Sequence, residues 1–154
     1  MSYNPSLFIS EIPFRRFGRT EIKMPVLSLG GMRFQQSWKD INPGDVTLDS
    51  QDKLGITLQR AKDCGLRHIE TARHYGSSEV QLGRACKNLP DGNRLLQTKV
   101  PPRDDPKLFE AELELSFEKL GCKRLDLLAI HGINLPAHLE QTIRPGGCLE
   151  VVRR

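Results

Sequence analysis

The chain has 154 residues, 38% of them hydrophobic and 27% charged, with a formal net charge of +4. This is the composition of a globular chain with an ordinary core, and it excludes a disordered or fibrous one. Its basic residues are dispersed rather than striped along one face, which argues against a nucleic-acid partner, and no run approaches the ~18 apolar residues of a membrane-spanning helix.

The start, Met1-Ser2-Tyr3-Asn4-Pro5, lacks the basic opening and continuous apolar core of a signal peptide, so a cytoplasmic location is the expectation. Residues 1–13 are polar, contain prolines and show no sustained period, which reads as a flexible tail. Cys64, Cys86, Cys122 and Cys148 form no Cys-x-x-Cys pair and have no histidine at zinc spacing; they read as reduced thiols, and no metal site is expected.

From Phe14 the pattern becomes regular. Phe14 to Phe17 and Glu21 to Met24 alternate apolar and charged residues around Gly18-Arg19-Thr20, the pattern of a β-hairpin whose apolar side is able to plug an opening. Val26 to Met32 reads as a buried strand ending in the pair Gly30-Gly31, where missing side chains let backbone approach a ligand or turn sharply. Arg33 to Ser50 is a long polar loop around Trp38, of the length that forms lids on α/β scaffolds. Gln51 to Cys64 has helical spacing, with Leu54, Leu58, Ala61 and also Ile56 as inward candidates, and Gly65 ends it.

His68 to Thr71 is a short strand. It feeds the turn Ala72 to Gly76 and a helix over Ser77 to Lys87, for which Ser77 and Ser78 offer N-cap side chains and Glu79 an early acid. After the turn Pro90-Asp91-Gly92-Asn93 comes a strand over Arg94 to Val100. Asp105-Pro106 opens a helix with Leu108, Phe109, Leu113, Phe117 and Leu120 at helical spacing, ended by Gly121. The nearly continuous apolar run Leu125 to Ile130 suits a parallel strand covered on both faces. Pro136 to Thr142 forms a further helix, and Cys148 to Arg154 the beginning of another.

Alternating strands and helices indicate a parallel α/β fold with right-handed crossovers. Gly31, Glu70, Lys99 and His131 stand at successive strand ends, 39, 29 and 32 residues apart, close to the ~30 residues of one βαβ unit, with the long loop inflating the first step. Polar residues converging from successive strand ends on one rim are what a TIM-type (β/α)8 barrel site requires. A dinucleotide-binding open sheet would need Gly-x-Gly-x-x-Gly after its first strand, and that fingerprint is absent.

Taken singly, each of these residues has an ordinary structural explanation; together they make a chemical set. A tyrosine is a poor proton donor at neutral pH until a nearby ammonium stabilises its phenolate. Lys99 is the candidate ammonium for Tyr75. Partial burial of Lys99 requires a carboxylate, which Glu70 is placed to supply, and His131 is placed to hydrogen-bond a carbonyl oxygen and orient it toward Tyr75. His74 reads as exposed, and neither His68 nor His138 has an evident partner.

The runs Glu70-Thr71-Ala72, Tyr75-Gly76 and Ser78-Glu79 resemble the signature of the aldo/keto reductases. Gln97-Thr98-Lys99-Val100 resembles that family's lysine strand, and Asp126-Leu127-Leu128-Ala129-Ile130-His131 with Asn134 its histidine strand. The likeness extends from about Phe14 to the last residue. One position departs: the usual aspartate is Glu70 here, one methylene longer.

The resemblance implies hydride transfer from NADPH to the carbonyl carbon of a small-molecule aldehyde or ketone, with Tyr75 as general acid and Lys99, Glu70 and His131 completing the catalytic set. Gly30, Gly31 and Met32 are the candidate cofactor-binding residues. It further implies that residues 14–154 are the N-terminal half of a barrel, an incomplete fragment of the enzyme, inactive alone and prone to self-association through exposed barrel edges. The alternative is a regulatory module that senses nicotinamide with the same fold.

Overall fold

The computed structural model describes residues 12–87 and 94–154. Nearly all of the expected N-terminal tail and the turn Pro90-Asp91-Gly92-Asn93 lie outside the described residues.

Strands β1 (Phe14–Arg16) and β2 (Lys23–Pro25) form the expected antiparallel hairpin. It is fastened to the rest of the chain by the Arg67 guanidinium, 5.3 Å above the Phe14 ring. The apolar run after it serves two purposes rather than forming one strand. Val26 donates its N–H to the Pro13 carbonyl and so continues the hairpin, while only β3 (Leu29–Gly30) joins the main sheet before a 3-10 turn over Gly31–Arg33 ends it. Val26 and Leu27 are consequently exposed, not buried.

The main sheet takes β3, β4 (His68–Glu70), β5 (Leu95–Val100) and β6 (Leu127–Ile130) in chain order, all parallel. Gly30 lies beside Glu70, Glu70 beside Gln97, and Gln97 beside Leu127. Side chains alternate across the sheet: Leu96, Thr98 and Val100 are buried beneath the helices, while Gln97 and Lys99 are half-buried on the opposite face. The expectation for β6 fails in one respect, because all four of its residues are half-buried; it pairs with β5 alone among the described residues.

Helix α1 (Leu48–Asp63) begins three residues earlier than its apolar pattern suggests, because Thr47 caps it by accepting the Ser50 N–H. Leu54, Leu58 and Ala61 are buried as expected. Ile56 is 71% exposed, since two positions from Leu54 and from Leu58 places it on the opposite side of a 3.6-residue turn. Helix α2 (Ser78–Cys86) follows the turn after β4, and α3 (Pro106–Leu120) starts at a proline behind Asp105, whose carboxylate accepts the Lys107 N–H at 2.9 Å. Phe109 and Leu120 are buried, Leu113 and Phe117 partly so, but Leu108 faces solvent. Helices α4 (Pro136–Ile143) and α5 (Cys148–Arg153) close the described chain.

Two apolar clusters hold these layers together. Leu54, Leu58, Ile69, Leu82, Cys86, Leu96 and Leu120 join α1, α2 and α3 to the sheet, and Val100, Phe109, Cys148 and Val151 join α3 and α5 to β5. Each fully buried Leu or Phe contributes ~1.5–3 kcal/mol.

The loop between β3 and α1 is seated rather than hinged like a lid. Gln36 gives its N–H to Ser77 Oγ at 3.0 Å and Gln81 Oε1 at 2.9 Å, its own Oε1 accepts the Thr47 N–H at 2.9 Å, and Ser77 gives its N–H to the Ser37 carbonyl at 3.0 Å. Ser77 and Ser78 therefore do not act as side-chain caps of α2. Ser77 fastens the loop, and Ser78 Oγ donates to the Gly31 carbonyl at 2.9 Å. Trp38 projects outward, 62% exposed.

Gly76 makes this seating possible. It has φ +53°, and a Cβ there would lie 1.9 Å from the Ser37 carbonyl oxygen. Gly76→Ala is expected to destabilise the chain by more than about 1 kcal/mol through left-handed strain and by displacing the loop. Urea midpoints check this, and equal midpoints would mean that the loop does not rest on this turn.

Candidate functional site

Glu70, Lys99 and His131 share one face of the sheet at its carboxyl end. Glu70 pairs with Gln97, Lys99 is two residues along the same strand and pairs with Ala129, and His131 is two residues beyond that. Tyr75 reaches the same place from the turn after β4. That turn continues the sheet's bonding, with the Thr71 N–H donating to the Gln97 carbonyl at 2.9 Å and the Arg73 N–H to the Lys99 carbonyl at 2.8 Å.

The four expected residues meet there. Lys99 Nζ pairs with the Glu70 carboxylate, so the longer side chain still reaches the lysine. Nζ also donates to the Thr71 carbonyl at 3.0 Å and lies 4.8 Å from the centroid of the Tyr75 ring. The Tyr75 and His131 rings stand edge to face, 5.6 Å apart at 86°.

Burial pushes the Lys99 ammonium down to about 8, and the adjacent Glu70 carboxylate opposes that by favouring the charged form. Burial also lowers His131, with the nearby Lys99 and His74 adding to the effect. His131 is thus a neutral imidazole at neutral pH, able to donate one hydrogen bond to an oxygen in front of Tyr75.

The glycine pair stands beside Glu70. A Cβ on Gly31 would lie 2.6 Å from the Glu70 carbonyl oxygen, so glycine at 31 is required by close packing onto β4. Gly30 is exposed, with room for a Cβ 3.7 Å from Glu70 Oε2, and Met32 is also exposed.

Three histidines outside the set have partners that the sequence does not reveal. His68 is buried on the face below Lys99, with Ser28 Oγ 2.7 Å from Nδ1 and Gln97 Oε1 2.9 Å from Nε2. His74 is exposed as expected and accepts from Arg103 Nη2 at 3.2 Å, and His138 Nδ1 lies 2.9 Å from the Gly132 carbonyl.

Sequence reasoning also misses a buried ionic group behind the turn. Arg73 pairs with Glu79 and with Asp40, and Glu79 accepts from Thr98 Oγ1 at 2.6 Å. The available signal was Thr98, a polar residue on the face of β5 that packs under the helices, which implies a buried polar partner.

Residues 26–151 match the model of a family described as Aldo/keto reductase. The chain is 41% identical over 81 residues to an uncharacterized oxidoreductase of Caenorhabditis elegans, covering 51% of this chain and 25% of that protein. It is 27% identical over 147 residues to a Schizosaccharomyces pombe protein whose name proposes a voltage-gated potassium channel subunit beta, covering 86% and 40%.

Among solved structures, a Pseudomonas aeruginosa protein assigned as an aldo-keto reductase superposes with a TM-score of 0.74 at 23% identity, over 92% of this chain and 56% of that one. An aldo-keto reductase from Klebsiella pneumoniae, solved in complex with NADPH, gives 0.59 at 25% identity over 77% and 39%. The chain spans less than half the length of these curated relatives and about half that of the Pseudomonas structure.

Proposed function

The chain belongs to the aldo/keto reductase family, and from that premise we propose that its rim reduces aldehydes or ketones with NADPH, Tyr75 serving as general acid. The observation that carries this reading is the position of Lys99, paired with the Glu70 carboxylate on one side and 4.8 Å from the Tyr75 ring centroid on the other, with His131 edge-on to the same ring.

The residues present fit one end of a nicotinamide cofactor. Gly30 leaves the sheet face open beside Glu70, and the exposed Met32 offers an apolar surface at the same end. Bound NADPH would supply hydride to the carbonyl carbon. The neutral His131 holds the carbonyl oxygen by a donated hydrogen bond and turns it toward Tyr75. Tyr75 gives up its phenolic proton as negative charge develops on that oxygen, and the Lys99 ammonium favours the phenolate left behind. Glu70 keeps Lys99 charged despite burial.

A test separates the roles of Glu70 and Lys99. Glu70→Gln leaves the ammonium without its carboxylate and is expected to lower kcat more than Glu70→Asp, which keeps the charge. Rates fall as Lys99 loses its proton near a pH of about 8, and without Glu70 that fall moves to lower pH. Indistinguishable pH profiles for Glu70→Gln and Glu70→Asp would mean that Glu70 does not support Lys99.

The same fold also suits a regulatory module that senses nicotinamide without turnover; the name of the Schizosaccharomyces pombe relative, a proposed channel subunit, supports the regulatory part of that reading. Oxidation of NADPH by a generic aldehyde distinguishes the two. A barrel site draws on loops after all eight strands, and four parallel strands are described here. The 154-residue chain alone is therefore expected to be inactive and to self-associate through the edges of β3 and β6. Sizing chromatography with an NADPH titration checks this; a monodisperse monomer binding NADPH at micromolar concentration would contradict it. A cytoplasmic location fits this chemistry, and among the described residues no helix is long and apolar enough to cross a membrane.

A further inference from the structure

We propose that Arg73 is a positioning residue for Tyr75: its buried guanidinium clamps the turn that carries Tyr75 to Glu79 at the start of α2 and to Asp40 in the loop between β3 and α1. This rests on the reading of Tyr75 as the proton donor, because a clamp on that turn matters to the reaction only if the phenol must be held in place.

The turn that carries Tyr75 is tied to β5 by the Arg73 N–H on the Lys99 carbonyl, whereas the backbone of Tyr75 itself bonds within the turn and to the start of α2. Its N–H donates to the Ala72 carbonyl and its carbonyl accepts from Ser78, each at 3.0 Å, while its ring is half-buried. The Arg73 side chain, two residues earlier, adds ties to two further elements. The side chain is 4% exposed and its two terminal nitrogens point to different elements: Nη1 pairs with Glu79, whose side chain is fully buried, and Nη2 pairs with Asp40.

Each partner is itself fixed. Glu79 accepts from Thr98 Oγ1 on β5, the residue before Lys99, and Asp40 lies 3.2 Å from Lys119 Nζ on α3. Through Arg73 the turn bearing Tyr75 is therefore referenced to the strand that bears Lys99. A planar fork with donors diverging from one carbon suits this junction, and a lysine, with one charged nitrogen, does not replace it. Arg73 lies on the same turn as Tyr75, so the influence of the clamp passes through the backbone of residues 73–76.

The edge-to-face contact between Tyr75 and His131 gives a spectroscopic readout that stability alone does not move. The ring current of Tyr75 displaces the His131 C–H resonances, and Tyr75→Leu in the same chain supplies their undisplaced positions. Two variants loosen the clamp: Asp40→Asn, which weakens the loop arm and also takes the carboxylate from Lys119, and the double replacement Arg73→Met with Glu79→Gln, which neutralises both buried groups and leaves the Asp40–Lys119 pair in place.

In both variants the His131 resonances are expected to move at least about halfway to their Tyr75→Leu positions. Those of His68, held by Ser28 and Gln97 at the far end of β4, are expected to stay in place. Unmoved His131 resonances in both variants, or His68 moving equally, would overturn the proposal. Where turnover is measured, Asp40→Asn lowers kcat with Tyr75 present and costs nothing further in a Tyr75→Phe background; an additive loss would overturn it as well. Absence of turnover in the assembled barrel that contains the wild-type chain, with the His131 shifts as expected, would refute the functional reading and leave the clamp standing.

Discussion

Tyr75→Phe is expected to slow NADPH-dependent carbonyl reduction by about 10²-fold or more in the closed barrel, while NADPH affinity stays unchanged. The substitution deletes one hydroxyl and keeps the ring, so the edge-to-face packing on His131 and the contact with Lys99 persist. Only the proton for the carbonyl oxygen is lost. No other described residue is placed to replace it: His131 is neutral with its pKa lowered, and Lys99 is engaged by Glu70 and the Thr71 carbonyl. The split between kcat and NADPH binding identifies the role, because a group acting only through packing would weaken both. Retention of about a third of the wild-type kcat would be too small a loss for a general acid and would remove Tyr75 from that position.

Arg73→Met is expected to be among the most damaging single changes to stability, by about 3–5 kcal/mol, because it leaves the fully buried Glu79 carboxylate without its cation. Burial already raises the Glu79 pKa, with Arg73 the largest opposing influence. Without Arg73 the rise is greater. A carboxylate whose folded pKa exceeds its unfolded value takes up more protons when folded, so stability falls as pH rises from the ordinary carboxylate range toward the raised value. The loss should therefore be larger at neutral pH than in mild acid, and pairing the change with Glu79→Gln should recover most of it. Urea unfolding of the chain at the two pH values checks both statements. A loss below about 1 kcal/mol, independent of pH, would mean that Glu79 is not held as a buried anion.

The parts of this architecture legible in the sequence are those set by local chemistry. Asp105-Pro106 and Gly121 mark the ends of α3, and the steps between Glu70, Lys99 and His131 mark a parallel repeat whose strand ends share a rim. That Glu70, Lys99 and His131 stand together is legible for the same reason, since residues at equivalent ends of adjacent parallel strands must be neighbours. What the sequence hides is set by tertiary pairing. Ser77 and Ser78 have the identity of helix caps, yet their hydroxyls bind the loop between β3 and α1 and the Gly31 carbonyl, and nothing within their own helix foretells that choice. Val26 and Leu27 are apolar enough for a buried strand but lie beside a hairpin that draws Val26 to Pro13. Nothing local to the turn marks Arg73 as buried, and only the distant Asp40 together with Glu79 makes its burial tolerable.

The most direct test of the reductase reading follows the fate of the hydride. NADPH carrying deuterium at the transferred position is incubated with a generic aldehyde and the assembled barrel that contains this chain, and the alcohol is analysed by mass spectrometry. The account predicts one deuterium on the former carbonyl carbon of each alcohol formed, with that product lost when Tyr75 is replaced by phenylalanine. NADPH binding with no labelled alcohol, or labelled alcohol formed equally well by the Tyr75→Phe protein, would contradict it.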